Sequence, residues 1–460
     1  MKKRPLILLE LNEVNLDIAA RYVEPLGLTN LGRLLGKSLR STSAETRYVD
    51  LEPWIQWVSV HSGLAGPAHG IFRLGDIVHS SVPQFFEQLE STGLRVGAVS
   101  PMNAANRLKS PAYFVPDPWT HTPTDSSPGS RRLWEALSQV VNDNASGRLT
   151  ARSAATLLQA LLRHANPRHY GLYLSLGRRA LKSSWCRALL LDLFLHDMHM
   201  RLYRQHRPDL SVLFLNAGAH IQHHYMFNAR HGVERIHQNP AWYVDPEADP
   251  MADMLRVYDR ILGDYLALPD TAFLCATGLT QVPYDRIKYY WRLRDHTQFL
   301  DTVGIRPLRV LPRMTRDFAL EFATDEQAAA AQLRLASLRV VADGTPLFQE
   351  IDNRGSSLFV TLTYGREIDD AAELSGEGVS PQSLKSHVVF VAIKNGMHSG
   401  RGFVAASDEI APLLPPDGAH VKELYGTVMR HFGCAVPEAP LPSGPPVHSA
   451  EPLDVAPSLS

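Results

Sequence analysis

Three histidines that follow an apolar run are the strongest candidates in the sequence for a functional site. The run, 210–215, has five apolar residues, and small residues at 217–219 separate it from His220, His223 and His224. Such a run is typical of a strand covered on both faces, and the small residues indicate a sharp turn. Because open α/β sheets bind ligands beyond the carboxyl ends of their strands, the histidines form a candidate site. A polar loop with solvated or capping histidines is the alternative.

Polar residues also follow other predicted strands. Glu10 and Asn12 come at the end of the first strand, and Asn216 ends the run just described. Asn395 and His398 follow a strand near the C-terminus. Carboxylate oxygens and imidazole nitrogens are metal ligands and acid–base groups. The three amides are candidates for orienting an anionic group.

Glu52 stands directly before a predicted helix. Pro53 follows at the first helical position, where its missing N–H costs nothing, and the helix is predicted over 54–63. The helix dipole stabilises the charged form of a carboxylate at this place, which favours a ligand or nucleophile over an acid. A plain helix cap is the alternative for Glu52, as a solvated loop is for Glu10 and Glu13.

Composition limits the class of protein. The 460 residues are 45% hydrophobic and 20% charged, which is ordinary for a soluble globular protein, and the net charge is -1. The three cysteines form no CxxC pair, and no run of about eighteen apolar residues occurs. We therefore expect a cytoplasmic protein whose partner is a small anionic substrate, with no nucleic acid and no membrane as partners. The sequence leaves the oligomeric state open.

Strand and helix patterns alternate through much of the chain, which predicts an α/β fold with a mostly parallel sheet sandwiched by helices. The core of this fold is predicted to comprise residues 1–110, 209–284 and 386–434. Long helical patterns over 111–208 predict a helical insertion above the ligand-binding edge, and 285–385 predicts a second, α+β insertion. Residues 435–460 are rich in Pro, Ser and Ala, which predicts a disordered tail.

The helical insertion also carries a histidine pair. His196 and His199 lie three residues apart, on one face of the helix predicted over 185–206. Packed or solvated histidines are favoured over a zinc pair at this spacing.

Several stretches together resemble the alkaline phosphatase superfamily, in the branch of type I phosphodiesterases and nucleotide pyrophosphatases. The stretch 52–64, Glu-Pro-Trp-Ile-Gln-Trp-Val-Ser-Val-His-Ser-Gly-Leu, followed by His-Gly-Ile at 69–71, is similar to the family's nucleophile helix. The stretch from Asp209 to His223 is similar to its Asp-x-x-x-His metal strand, and 395–403 to its C-terminal metal histidine with the following strand. The similarity covers the predicted core and neither insertion.

The resemblance implies an alkaline-phosphatase-like fold and two metals, often zinc, about 4 Å apart that clamp the attacking and leaving oxygens. This sequence departs from that pattern. The aspartate of Asp-x-x-x-His falls on Ala219, and the family's Ser-Asp-His-Gly stretch falls on 276–279, Ala-Thr-Gly-Leu. The hydroxyl nucleophile falls at Glu52 or Pro53, neither of which has a hydroxyl, whereas His223 and His398 are retained.

The retained residues predict one divalent metal, zinc, rather than two. His223 and His398 are expected to hold it, with Glu10 in place of the first-strand aspartate, or with Glu52 or His220, completing the ligands. The catalytic candidates are Glu52, Glu10 and His220, and the substrate-binding candidates are Asn12, Asn216 and Asn395. A site without metal is the alternative.

The activity implied by the resemblance is that of a metal-dependent hydrolase or transferase. Its substrate is expected to be a phosphate-ester-like or other anionic small molecule, with the metal polarising the ester and Glu52 or water attacking. Two alternatives stay open, a catalytically inactive protein of this fold that binds an anionic ligand and metal-free acid–base chemistry. In every case His223 and His398 are predicted to converge at one edge of the sheet.

Overall fold

The structure is a computed structural model that describes residues 3–142, 150–312 and 316–436. The α-helices in these ranges are α1 (Leu16–Leu26), α2 (Thr29–Ser38), α3 (Pro53–Ser62), α4 (Gly66–His69), α5 (Phe85–Ser91), α6 (Pro128–Asn142), α7 (Ala151–His164), α8 (Tyr170–Arg179), α9 (Trp185–His206), α10 (Ala217–Tyr225), α11 (Pro250–Leu266), α12 (His296–Thr302), α13 (Asp325–Ser337) and α14 (Glu423–His431). The strands are β1 (Leu6–Leu11), β2 (Arg40–Ser43), β3 (Val96–Val99), β4 (Tyr113–Val115), β5 (Leu210–Leu215), β6 (Ala272–Ala276), β7 (Thr280–Leu293), β8 (Arg309–Pro312), β9 (Asp317–Glu321), β10 (Arg339–Val340), β11 (Glu350–Asn353), β12 (Ser357–Thr361), β13 (Glu373–Gly376), β14 (Val379–Ser383), β15 (Val388–Ser399), β16 (Arg401–Ala406) and β17 (Ala419–His420).

Eight strands form the central sheet, in the order β17-β2-β16-β6-β1-β5-β3-β4. β1 pairs in parallel with β5 and β6, and β3 pairs in parallel with β5 and β4. β16 is antiparallel to both of its neighbours. The carboxyl ends of β1, β5 and β6 therefore lie side by side at one edge, and the predicted α/β class with a mostly parallel sheet is confirmed.

The two faces of β1 enter two different hydrophobic cores. Ile7 and Leu9 pack into the core shared with α1, α2, α9, α10 and α11. Leu6 and Leu8 pack into the core shared with α3, α5 and α14. All four side chains are fully buried. A sheet covered by helices on both faces requires apolar residues at consecutive strand positions, and the first strand supplies them.

Two further parts of the chain flank the sheet. In the helical part, α8 packs against α9, which in turn contacts α10 and α11. Residues 294–387 enclose a separate core around Phe318, Leu335 and Leu358. β7 and β15 pair with each other as a two-stranded antiparallel ribbon that joins this second part to the sheet. Across the described ranges, we find no helix that is long and apolar enough to cross a membrane.

The start of α10 differs from the sequence-based expectation. The small residues 217–219 were expected to turn the chain sharply, and they begin a helix instead. Asp192 of α9 explains the difference, because its carboxylate accepts hydrogen bonds from the backbone N–H groups of Asn216 at 3.2 Å and Ala217 at 2.9 Å. These N–H groups lie at a helix start, where the helix itself offers no acceptor.

The C-terminal strand also differs. It was predicted over 388–393 and extends to Ser399, paired with β7, a strand that the sequence reading missed. The long pairing with β7 carries the extended conformation past 393, through residues that look polar and loop-like in isolation. The predicted tail at 435–460 lies almost wholly outside the described residues.

Candidate functional site

His223 and His398 lie against each other at the carboxyl edge of the sheet. Their Nε2 atoms are 3.3 Å apart, although 175 positions separate the two residues. His223 lies on α10, which follows β5, and His398 lies inside β15. The predicted convergence is confirmed, but His398 arrives through the ribbon rather than from the end of a strand of the central sheet.

Gly396 allows the ribbon to reach α10. A Cβ atom at this position would lie 2.1 Å from Oε1 of Gln281 and 2.7 Å from the backbone oxygen of Gln222, the residue before His223. Carbon and oxygen do not approach so closely, so a larger residue would push β15 away from α10. This close approach helps to set the distance between His223 and His398.

Glu13 is the acidic residue that meets both histidines. Its Oε2 atom lies 3.1 Å from Nε2 of His223 and 3.2 Å from Nε2 of His398. Glu13 has a φ of 59°, in the left-handed region that non-glycine residues rarely adopt. Its backbone N–H donates to the Thr277 carbonyl at 3.1 Å, and its own carbonyl accepts from the Gln222 amide at 2.8 Å. Contacts on both sides therefore hold this strained residue in place.

Two amides and two imidazoles fix the Glu13 carboxylate. Asn12 Nδ2 donates to Oε1 at 3.2 Å, and Gln281 Nε2 donates to Oε2. Burial alone would raise the pKa of Glu13, but His398 and His223 outweigh it and hold that pKa well below its usual range. Burial lowers the pKa of His398, yet the Glu13 charge leaves it raised overall. Glu13 is thus held as a carboxylate, the form that binds a cation.

Glu52 stands beside this group of three, at the start of α3. Its Oε2 atom is 3.8 Å from Nδ1 of His398, and 32% of its side chain is exposed. Within the described chain it makes no capping hydrogen bond to α3. Burial raises the pKa of Glu52 to about 7, although His398 opposes the rise. Burial therefore outweighs the helix dipole, which was expected to keep Glu52 charged.

Glu10 lies on the opposite face of β1 from the histidines. Its Oε1 atom is 2.7 Å from Nε2 of His61 on α3, and both side chains are fully buried. Burial raises the pKa of Glu10, although His61 opposes the rise. Because β1 runs to Leu11, the next acid beyond the end of the strand is Glu13. Glu13 takes the place beside the histidines that the sequence reading gave to Glu10.

His220 points away from the group formed by Glu13, His223 and His398, hereafter the sheet-edge cluster. Its ring packs against His224, with centroids 4.9 Å apart. Burial lowers the pKa of His220 to about 4, so it is neutral at physiological pH.

The three predicted substrate-binding asparagines occupy different places. Asn12 supports the sheet-edge cluster, since its amide donates to Glu13 and to Asn216 Oδ1, the latter at 2.8 Å. Asn395 is fully buried, and its Oδ1 accepts from the Phe227 N–H at 2.9 Å and from the Asn239 amide at 2.8 Å. Asn395 therefore joins β15 to the chain after α10 rather than facing the histidines.

The sheet-edge cluster has the dimensions of a zinc site. Its three ligand atoms are separated by 3.1, 3.2 and 3.3 Å. Tetrahedral zinc with bonds of about 2.0–2.2 Å places neighbouring ligand atoms roughly 3.3 Å apart, and two histidines with one glutamate are a ligand set of catalytic zinc with an open fourth position. The side chains of His223 and His398 are 30% and 13% exposed, so the fourth direction has access to solvent.

The positions that would hold a second metal carry apolar side chains or a hydroxyl that is already hydrogen-bonded. Ala219 stands where the resembled family has an aspartate, and 276–279 reads Ala-Thr-Gly-Leu. The hydroxyl of Thr277 is buried and accepts a hydrogen bond from the Phe403 N–H at 2.9 Å. The residues present therefore fit one zinc ion rather than two.

A second group of histidines and acids lies among the helices. This helix cluster consists of His169, His196 and Asp264. Asp264 Oδ2 is 3.3 Å from Nε2 of His169 and 3.1 Å from Nε2 of His196. Arg260 Nε also lies 3.3 Å from Nε2 of His169, and Asp197 Oδ1 lies 2.6 Å from its Nδ1. A guanidinium thus stands against the nitrogen that a metal would need.

No protein-family model and no curated protein matches the sequence. Solved structures resemble the chain across most of its length. Phosphonoacetate hydrolase from Sinorhizobium meliloti 1021 is 13% identical, with 94% of this chain and 96% of that chain covered and a TM-score of 0.42. Murine ectonucleotide pyrophosphatase/phosphodiesterase 5 is 10% identical, with 94% and 96% covered and a TM-score of 0.40.

Alkaline phosphatase from the Antarctic bacterium TAB5 is 9% identical, with 94% of this chain and 99% of that chain covered and a TM-score of 0.39. Identities this low and superpositions this loose say nothing about activity.

Proposed function

We propose that this chain is a metal-dependent hydrolase that holds one zinc ion at Glu13, His223 and His398. Its substrate class is a phosphate ester or a similar anionic ester of a small molecule. The observation that supports the proposal is the near-equilateral triangle of ligand atoms, with edges of 3.1–3.3 Å and partial access to solvent. The resemblance of the motifs to phosphodiesterases supports the ester class.

Each group of the site has a task in this reaction. When bound, zinc supplies Lewis-acid polarisation of an ester oxygen. Glu13 contributes the charge that holds the cation, and Gln281 and Asn12 keep its carboxylate in place. Glu52 Oε2, next to His398, accepts the proton of the attacking water. This assignment gives Glu52 the role of general base rather than that of metal ligand.

Elemental analysis of protein purified without chelators tests the metal. We expect about one zinc per chain, and much less in His398→Ala, because two protein ligands bind zinc far more weakly than three. His79→Ala, which removes an exposed histidine, is the matched control and keeps the metal. Wild-type protein without bound metal would refute the proposal.

Turnover tests the chemistry. The zinc-loaded protein is expected to hydrolyse bis(p-nitrophenyl) phosphate or p-nitrophenyl phosphate, and His398→Ala is expected to lose that activity. Zinc binding without turnover on a panel of phosphate and sulfate esters would favour the alternative, a protein that binds an anionic ligand without reacting. The loss of acidic and histidine side chains at the second metal's position, Ala219 and 276–279, is the observation that favours that alternative.

A further inference from the structure

Two lysines face each other on the ribbon. Lys394 of β15 pairs directly with Lys288 of β7. Like charges placed directly opposite each other destabilise an antiparallel pair. The pairing resumes at Gly396 and Pro283, so residues 284–287 of β7 bulge out between the two registers. The sequence therefore keeps an unfavourable charge pair beside an irregular stretch of strand.

A third cation joins this pair. Arg316 acts electrostatically on both lysines, and its guanidinium carbon lies 4.7 Å from the centre of the Tyr290 ring. Lys394 Nζ lies 4.3 Å from the centre of the Tyr284 ring. In the described part of the chain, no carboxylate oxygen comes within 4.0 Å of these three cations. Aromatic rings hold two of the cations in place, and no acid neutralises them at contact distance.

The three cations are crowded as well as unpaired. Burial, followed by the charges of Lys288 and Arg316, lowers the pKa of Lys394 to about 8. The acids that act on the lysines do so from beyond contact distance, and they are Glu52, Asp285 and Glu350. An anion bound among the cations would relieve this repulsion.

The cations also lie beside the proposed zinc site. Lys394 precedes His398 by four residues on β15, which spans about 13 Å in an extended strand. Glu52 interacts with both residues. Its charge acts on Lys394, and its Oε2 atom is 3.8 Å from Nδ1 of His398. A ligand of moderate length can therefore reach both places.

We propose that Lys394, Lys288 and Arg316 form a subsite for a second anionic group of the substrate, a carboxylate or phosphate remote from the ester. This inference rests on the proposed function, since it places the reacting ester at the sheet-edge cluster. The substrate is then an elongated molecule with an anionic group at each end, separated by no more than about 13 Å. The positive charge selects the second group, and the zinc site selects the ester.

Calorimetric titration of the zinc-loaded full chain with phosphonates of increasing length tests the subsite. Methylphosphonate carries one anionic group, whereas 3-phosphonopropionate and 6-phosphonohexanoate add a carboxylate at growing distance. We expect the longest probe to bind about 10-fold more tightly than methylphosphonate, as charge-assisted hydrogen bonds predict. In Lys394→Gln and Lys288→Gln this advantage should disappear.

Lys385→Gln is the matched control. Its ammonium also lies over an aromatic ring, 4.8 Å from the centre of Trp291, but at the other end of the ribbon. The control should keep the preference for the long probe. Equal affinity for all three probes in the wild type, or a preference that survives both lysine variants, would overturn the inference.

A second titration distinguishes a failure of the anion subsite from a failure of the proposed hydrolase function. Protein stripped of metal with a chelator is titrated with inorganic phosphate, which the cations alone are expected to bind and which Lys394→Gln should bind about 10-fold more weakly. If the wild type contains zinc but the stripped protein does not bind phosphate, the subsite is refuted and the proposed hydrolase function is not. Phosphate binding in a protein that never contained zinc supports the cation site and refutes the hydrolase.

Discussion

In the sheet-edge cluster the ligand atoms of two histidines and a glutamate lie 3.1–3.3 Å from one another. In the helix cluster Asp264 lies 3.3 Å from His169 and 3.1 Å from His196. The surroundings differ. In the sheet-edge cluster the Nε2 atoms of His223 and His398 are 3.3 Å apart, and the two side chains are 30% and 13% exposed. In the helix cluster the side next to His169 holds Arg260, and both histidines are at most 1% exposed.

Two histidines and a carboxylate therefore do not by themselves make a metal site. A metal needs deprotonated nitrogens, a side free of other cations and a path to solvent. Asp197 and Asp264 raise the pKa of His169 to about 9, because their hydrogen bonds and charges outweigh burial, and Glu13 likewise raises the pKa of His398. The two clusters differ in that Arg260 stands against Nε2 of His169. The helix cluster is therefore an ion-pair network that ties α9 to α11.

The largest expected effect comes from breaking the helix cluster. Asp197→Ala removes the partner of the buried His169 Nδ1 at 2.6 Å and of the half-buried Tyr173 hydroxyl at 3.0 Å. We expect the free energy of unfolding to fall by about 3–5 kcal/mol, with the zinc content unchanged. Denaturant unfolding and elemental analysis measure the two quantities, with Asp301→Ala, an exposed aspartate, as the control. Loss of zinc from Asp197→Ala would show that the two clusters do not differ in the way described.

The next effect concerns activity at the sheet-edge cluster. Glu52→Gln keeps the size of the side chain and removes the proton acceptor, so kcat should fall about 100-fold while the melting temperature stays nearly unchanged. Glu409→Gln, an acid paired with Arg4, is the control. Unchanged turnover in Glu52→Gln would remove Glu52 from the reaction.

A smaller effect is expected from the backbone contact that brings His398 to α10. Gly396→Ala places a methyl group 2.1 Å from Gln281 Oε1, so the ribbon must shift, at a cost of about 1–3 kcal/mol for overpacking. Zinc affinity should fall with it, which a competition titration with a chromophoric chelator measures. Gly400→Ala is the matched control, since its added Cβ would meet its nearest neighbour at 3.4 Å. If both variants bind zinc equally, the close approach does not set the geometry of the site.

The smallest effect is a pH dependence of stability that comes from His169 in the helix cluster. The pKa of His169 is about 9 in the folded chain, above the value of about 6.5 expected for an unfolded chain. Its contribution to stability is therefore fully present below about pH 6.5 and is lost as the pH rises through about 9. The difference in melting temperature between wild type and His169→Gln should shrink from pH 6 to pH 9.5. A difference that stays constant over this range would mean that His169 is neutral throughout.

The sequence predicted the elements with long uninterrupted patterns. The bounds of β5 and α9 were predicted at 210–215 and 185–206, and the structure has them there, because both are dictated by local apolar periodicity. The convergence of His223 and His398 was predictable for a related reason, since strand ends in such sheets share one edge. What local patterns encode was therefore predicted well.

The identity of the acid was not predicted, because it depends on where β1 ends. Successive strand residues point to opposite faces, so Glu10 and Glu13 differ in more than position. Glu10 falls on the face of His61, and only a residue beyond Leu11 reaches the edge. The alternating direction of side chains along β1, counted as far as Leu11, was the signal that would have identified Glu13 as the acid beside the histidines.

The contacts of the ribbon could not be predicted from local patterns at all. β7 and β15 pair although residues 294–387 lie between them, and the Gly396 contact with Gln222 joins two remote parts of the chain. Neither segment alternates cleanly between polar and apolar residues, because each has one side facing protein along part of its length only. Each of the two segments is a strand because it pairs with the other, so the sequence of either segment alone predicts a loop.

The ribbon also makes the second part of the chain a cassette. Leu293 pairs with Val388, and the Arg294 N–H donates to the His387 carbonyl at 2.8 Å, so the chain leaves and returns side by side. In topological terms, this is a hairpin whose two strands are connected by residues 294–387, which carry their own core. A graft at the tip of a hairpin leaves the strand order of the sheet intact, so such a cassette can be exchanged or excised while the stalk that bears His398 remains. Lys288 and Lys394 would stay with the stalk and Arg316 would leave with the cassette, so replacement of the cassette would change the proposed anion subsite and leave the sheet-edge cluster in place.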